Sequence, residues 1–229
     1  MIKSETGYFF AALLLFFCSC GIDNYIYLYP VVQALNIPSD VDEVYNYVSF
    51  RTRDETNQAE NSAYFKGFVL YYRIYNNSSA RSSDVSSINN YNEDYPATAY
   101  NYLISIKSYR KLTAENRRGL DPLIPAASNN RDVVISLIHH DLRPDGITVG
   151  AANYGMALRA DNLGLPSNLF EFDEINDSDD DVTYNTNWDD ENDKRWYVQF
   201  YVMAYGYDES YKSLYSEVFD LGYITIRDL

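Results

Sequence analysis

The chain has 229 residues, 46% hydrophobic and 22% charged, a globular balance that excludes both a disordered polymer and a polytopic membrane protein. Its 33 acids against 18 bases leave a net charge of -15, which argues against nucleic acid as a partner because phosphate binding needs a basic face. Two cysteines and two histidines are too few for a Cys/His zinc site, a haem or an iron–sulfur cluster, so no cofactor is expected. The first element is a leader. Lys3 precedes an uninterrupted apolar run of ten residues from Tyr8 to Phe17. That run is too short to cross a hydrocarbon core of about 30 Å as a helix, but it has the length of a secretory-signal core. Small residues then make up the step Cys18-Ser19-Cys20-Gly21.

This leader resembles that of bacterial lipoproteins, and of the looser spirochaete type in particular, in which the residue after the cut is a cysteine carrying acyl chains. Cys20 fits that role, with Ser19 before it and Gly21 after it, whereas Cys18 would put bulky Phe17 at the cut. The resemblance implies a signal peptide over 1–19, a lipid (palmitate among its chains) on Cys20, and attachment to a membrane through it. It places the protein in the cell envelope, periplasmic or surface-exposed. The alternative is an ordinary secretory signal or an uncleaved anchor. Each buried methylene favours attachment by about 0.8 kcal/mol, so several acyl chains hold a soluble domain almost irreversibly. With Cys18 in the signal peptide and Cys20 acylated, no intrachain disulfide is expected in a single mature domain over 20–229.

Beyond the leader the dominant period is two, the strand signature. Strands are expected at Val44–Arg51, Tyr64–Tyr75, Asp132–His139, Ile147–Val149, Met156–Arg159, Trp196–Tyr205 and Leu221–Arg227. In the second of these, Phe68, Leu70, Tyr72 and Ile74 share one face; in the sixth, Trp196, Val198, Phe200, Val202 and Ala204 do. Residues 76–130 break the pattern. The Ser- and Asn-rich stretch Asn76 to Asp94 reads as a loop with at most a helical turn, and Pro96 opens a helix toward Tyr109 with Tyr100, Leu103 and Ile104 on one face. The expected fold is therefore all-β, an antiparallel β-sandwich with a partly helical insertion over 76–130.

Two segments carry a further resemblance. Val198-Gln-Phe-Tyr-Val-Met-Ala204, with the turn and strand after it, is similar to the closing strands of immunoglobulin/fibronectin type III-like modules, and Phe68–Tyr75 to their third strand. That resemblance implies that 64–75 and 196–205 are neighbours in one sheet. The face opposite the core would then carry Tyr71, Tyr75, Tyr197, Tyr201 and Tyr205, a candidate contact surface for protein or sugar. The competing reading is that the insertion packs on this face and buries it. The whole chain also resembles Tyr- and Asn-rich spirochaete lipoproteins of unassigned function.

Charged groups give three further candidates. Residues 171–193 hold eleven acids and no base, so one loop carries most of the net charge. Within it Asp177, Asp179 and Asp181 have the spacing that can converge oxygen ligands on calcium, although Val182 and Trp188 stand where an EF-hand needs Gly and Glu. A solvated, mobile loop is the plainer expectation. Lys107, Arg110, Lys111, Arg117 and Arg118 form a basic patch that could face anionic headgroups, pair with the acidic loop, or simply be solvated. His139 and His140 adjoin Asp141, but neighbours on a strand point to opposite faces and cannot converge. No nucleophile, zincin or phosphate-loop motif is present, and a non-enzyme is expected. Sequence spacing is silent on two carboxylates about 5–9 Å apart, the geometry that would make a glycoside hydrolase. The expected role is non-catalytic, contacting protein through the tyrosine face or loops, with a carbohydrate-binding module as the alternative.

Overall fold

The computed structural model describes residues 26–38, 43–137, 145–160, 164 and 167–227. In chain order its main elements are β1 (Ala34–Asn36), β2 (Val48–Arg51), α1 (Asp54–Asn61), β3 (Phe65–Tyr75) and α2 (Ser78–Asp94). A 3-10 turn at Pro96–Thr98, a helical turn at Ala99–Asn101 and a π-helical turn at Tyr102–Ile106 follow. Then come β4 (Arg110–Lys111), β5 (Thr113–Ala114), β6 (Ile124–Pro125), β7 (Asp132–Ser136), β8 (Gly146–Val149), β9 (Ala152–Asn153) and β10 (Ala157–Leu158). The chain closes with β11 (Val182–Thr183), β12 (Arg195–Tyr207), β13 (Ser213–Tyr215) and β14 (Phe219–Arg227). The fold is mainly β, and all its strand pairs but one are antiparallel among the described residues.

One sheet has the order β1-β2-β7-β8-β9. The other is built on the long β3–β12 pair, with β11, β4 and β6 along the outer edge of β3 and β14 and β13 along β12. A small third pair joins β10 to β5. Alternation along β3 and β12 decides the layering. Phe68, Leu70, Tyr72, Ile74, Val198, Phe200 and Val202 share a core with Val48, Phe50, Val133, Ile135 and Ile147 of the first sheet. The intervening Val69, Tyr71, Tyr201, Met203 and Tyr205 form a second cluster with Ile88, Ala99, Leu103 and Tyr109 of the helical region. The central sheet is thus buried on both faces, which is why β3 and β12 read as nearly continuous apolar runs. At one corner Asn46 joins the sheets by imitating a strand. Its Nδ2 donates to the Thr225 carbonyl at 2.7 Å and its Oδ1 accepts the Thr225 N–H at 3.0 Å.

The expected strands are all found, three of them one to four residues shorter and three one to three residues longer; the end of Asp132–His139 lies outside the described residues. The stretch Asn76–Asp94, expected as a loop, is largely a 17-residue helix. Asn77 caps it by accepting the Ala80 N–H at 3.0 Å. Its docking is polar: Asn92 exchanges two hydrogen bonds with the backbone of Val218, and Ile88 is its one buried residue. The helix expected from Pro96 is a succession of short turns ending at Ile106, with Leu103 buried beneath it. Beyond it, β4 and β6 return to the edge of β3, where Gly67 (φ +141°) lets the chain approach so closely that a Cβ would overlap the Ile124 carbonyl.

The start of the domain is fixed by α1. Asn57 accepts the Tyr29 N–H at 2.8 Å and donates to the Tyr29 carbonyl at 2.9 Å, while Asn61 donates to the Tyr27 carbonyl at 2.8 Å. These bonds hold Leu28 and Val31 in the main core.

Candidate functional site

The β3–β12 register sets Tyr71 opposite Tyr201, Tyr75 opposite Tyr197 and Tyr205 opposite Gly67, so the five candidate tyrosines do gather on one face. They do not form an open contact surface, because all five are buried: Tyr71, Tyr201 and Tyr205 pack with the helical layer, Tyr75 bonds to it, and Tyr197 lies against Tyr223. Tyr75 is hydrogen-bonded to Asp84 on α2 (3.0 Å) and to the Tyr109 hydroxyl (3.2 Å). The Tyr201 hydroxyl donates to Asn89 on α2 at 3.3 Å, and its ring meets Tyr109 edge-on at 5.4 Å. Tyr205 donates to the Tyr207 hydroxyl at 2.6 Å. Burial pushes the hydroxyls of Tyr71, Tyr75, Tyr109 and Tyr201 well above the ordinary tyrosine range. The layer consists of aromatic packing with its polar tips satisfied.

The acidic stretch is likewise tied into the structure. β11 pairs in parallel with the end of β3, and the residues before it surround Arg159, whose side chain is fully buried. Asp181 receives the Arg159 guanidinium as a fork, with Nε 2.9 Å from Oδ2 and Nη2 on Oδ1. Nη2 also reaches Asp179 at 2.7 Å, and Nη1 donates to the Glu174 carbonyl at 3.2 Å. Tyr72 completes the cluster, donating to Asp181 at 2.6 Å and accepting the Ala160 N–H at 2.9 Å. Burial opposes the charge of Arg159, but the bonds and charge of Asp181, joined by Asp179, outweigh it and raise its pKa.

This arrangement corrects the calcium expectation. Asp179 and Asp181 converge on an arginine, Asp177 is exposed, and no group of three potential ligands is assembled among the described residues. The stretch stays largely exposed, as a solvated loop would, but β11, Asp179 and Asp181 fasten it as a strap along the sheet edge. The basic patch is used in similar ways: Lys107 pairs with Asp84 (2.8 Å), Arg110 with Asp180 of the strap (3.6 Å), and Lys111 with Asp121 (2.5 Å). Arg117 donates to the Pro122 and Leu123 carbonyls.

Past β11 the strap carries an aromatic group. Trp188 meets Trp196 edge-on at 4.7 Å, and Phe172 and Tyr184 stand 6.1–6.4 Å from the two indoles. Lys194 lies over Trp188 at 5.6 Å. Trp196 is buried with its indole N–H unpartnered, whereas Tyr184 is exposed and Trp188 half-buried. Asn185, Thr186 and Asn187 between them are exposed. The outer rings offer a stacking surface bordered by amide and hydroxyl groups.

Cys20 and the His139–Asp141 triplet lie outside the described residues. Against protein-family models, curated proteins and solved structures alike, the chain finds no match. Sequence reasoning missed Arg159 and the aromatic group. The signal for the first was a lone base ending a short strand just before eleven acids; for the second, that both tryptophans of the chain fall within nine residues.

Proposed function

We propose that the chain is a lipid-anchored envelope protein of bacterial lipoprotein type, acylated on Cys20, whose mature domain has a non-catalytic binding role. The observation that carries this reading is the joining of a short apolar leader ending in Ser19-Cys20-Gly21 to a domain whose core already begins at Leu28. A folded domain starting so soon after the cysteine is suited to standing directly on a bilayer. The architecture is read as an immunoglobulin/fibronectin III-like sandwich carrying an added helical layer. In support, β3, β12 and β14 adjoin in one sheet and face a second sheet across the main core.

With the tyrosine face covered, contact with a protein partner falls to the exposed loops. A carbohydrate is the second reading, favoured by exposed Tyr184 and half-buried Trp188 beside Asn185 and Asn187, since flat rings stack on the apolar faces of sugars. Palmitate labelling in a bacterial host tests the anchor. The parent chain should take the label and sediment with membranes, and Cys20→Ala should lose both properties. An unlabelled parent would sink the proposal. On a glycan array, a hit that disappears with Trp188→Ala would favour sugar over protein.

A further inference from the structure

Four of the ten large apolar side chains exposed among the described residues fall together: Val32 (67% exposed), Leu35 (46%), Ile37 (72%) and Tyr45 (52%). They belong to β1, the edge strand of the first sheet, and its flanks. Asn36 holds the Tyr45 segment beside β1 by donating to the carbonyls of Tyr45 (3.2 Å) and Tyr47 (2.5 Å). The remaining six exposed apolar residues are spread from Tyr95 to Tyr211. Clustered apolar exposure of this kind marks an interaction surface.

The sequence around the patch is as unusual as its exposure. From Asn24 to Ser39, the stretch that holds Val32, Leu35 and Ile37, there is no charged residue in a chain with 51 of them; Tyr45 lies beyond it, after Asp40, Asp42 and Glu43. A second copy pairing edge to edge is disfavoured by the strand itself. β1 has three residues, its register with β2 shifts between Ala34 and Asn36, and Pro30 and Pro38 flank it. Short, irregular edges bounded by proline do not template another strand. The side chains are the contact, and they face something apolar.

We propose that this patch is the face on which the domain seats against the lipid bilayer, with Val32, Leu35, Ile37 and Tyr45 entering the headgroup region. The proposal rests on the lipoprotein reading for its anchor. Only five residues separate Cys20 from Ile26, so an acylated Cys20 holds the start of the domain within at most about 20 Å of the surface. Ile26 itself is six residues from Val32. Tethering makes the second contact intramolecular, so a patch too weak to recruit the free domain still orients the anchored one. Tyrosine suits the interface, with its ring among acyl chains and its hydroxyl in water. Because the protein is strongly acidic, seating is by apolar insertion rather than by charge, and salt leaves it in place.

The test uses the full chain, matured in a bacterial host and reconstituted into phosphatidylcholine vesicles containing a nitroxide lipid. Leu35→Cys, Ile37→Cys and Ser210→Cys variants are each labelled with an environment-sensitive dye. Ser210 lies in the exposed turn after β12, about 20 Å along that strand from the pair Phe200–Gly222, and Ile37 lies beside Gly222. If Cys20 is acylated and Cys18 leaves with the leader, the parent chain takes no dye. The expected result is an unlabelled parent and severalfold stronger quenching at 35 and 37 than at 210, unchanged in high salt. An unlabelled parent with equal quenching at all three positions would overturn the seating while leaving the anchor intact. Dye on the parent would remove the anchor and the seating with it. Disulfide dimers through Leu35→Cys, without quenching, would overturn the proposal in favour of a second copy.

Discussion

A guanidinium buried out of water is tolerated only when its charge and its donors are met, and Arg159 satisfies that condition through Asp181, Asp179 and the Glu174 carbonyl. Asp181 depends on it in return, since its other bond, from Tyr72, brings no charge. Replacing the arginine by a side chain of similar length strands a carboxylate in the core. Arg159→Met is therefore expected to cost about 3–5 kcal/mol in urea denaturation. Adding Asp181→Leu should return a large part of that loss, because removing both charges is far cheaper than removing one. A single variant that melts with the parent would mean that water or another base reaches Asp181. Beyond a lone base ahead of an acidic stretch, this pairing was not legible in the chain as written. Acids at Asp177, Asp179 and Asp181 announce a cation by their spacing, and spacing alone does not distinguish a calcium ion from an arginine eighteen residues earlier than the first of them.

At the level of elements, the parts that sequence reveals are those that bury a periodic apolar face. β3 and β12 do so on both sides: their alternation could be read directly, while their pairing and tyrosine face followed from the resemblance to fibronectin type III-like modules. α2 could not be read, because its Ser- and Asn-rich surface attaches through hydrogen bonds and shows no 3.6-residue apolar stripe. Its start is held from outside by the strap: Asp189 accepts the Ser78 N–H at 2.8 Å and an Asn77 amide hydrogen at 2.9 Å. A carboxylate there meets both the free N–H groups and the positive end of the helix. Partial burial works to raise the Asp189 pKa, but the Ser78 backbone and hydroxyl, the Tyr197 hydroxyl and the charge of Arg195 together lower it. A lowered folded pKa means that the contribution is whole above the unfolded value of about 3.9 and fades as pH falls through the folded one. Asp189→Ala should cost about 0.5–1 kcal/mol at neutral pH, at the modest end for a cap because the site is exposed. The gap between variant and parent should close in acid, as followed by thermal melting from pH 7 downward. A gap independent of pH would assign the loss to packing.

Among the described residues the two larger sheets and a helical cover are stacked, and tyrosines of the central sheet and the cover meet at the boundary between them. Those at the sheet–helix boundary carry the most consequence for stability at high pH. Burial raises Tyr71, Tyr75, Tyr109 and Tyr201 in the folded protein, while in the unfolded chain each returns to about 10. For an acid whose folded pKa is raised, the unfolded state loses protons first. Stability is then untouched below about pH 10 and declines as pH rises beyond it, more steeply for each further tyrosine that only unfolding can ionise. Followed in the ultraviolet, the buried group should ionise in one step coincident with loss of secondary structure by circular dichroism. Tyr201→Phe keeps the ring and removes a hydroxyl whose one protein partner is Asn89 at 3.3 Å, so it should shift that step to higher pH with little cost at neutrality. If all the tyrosines titrated together while the fold persisted, the helical layer would have to be loose enough to admit water. The face formed by β3 and β12 would then regain its standing as a surface for partners.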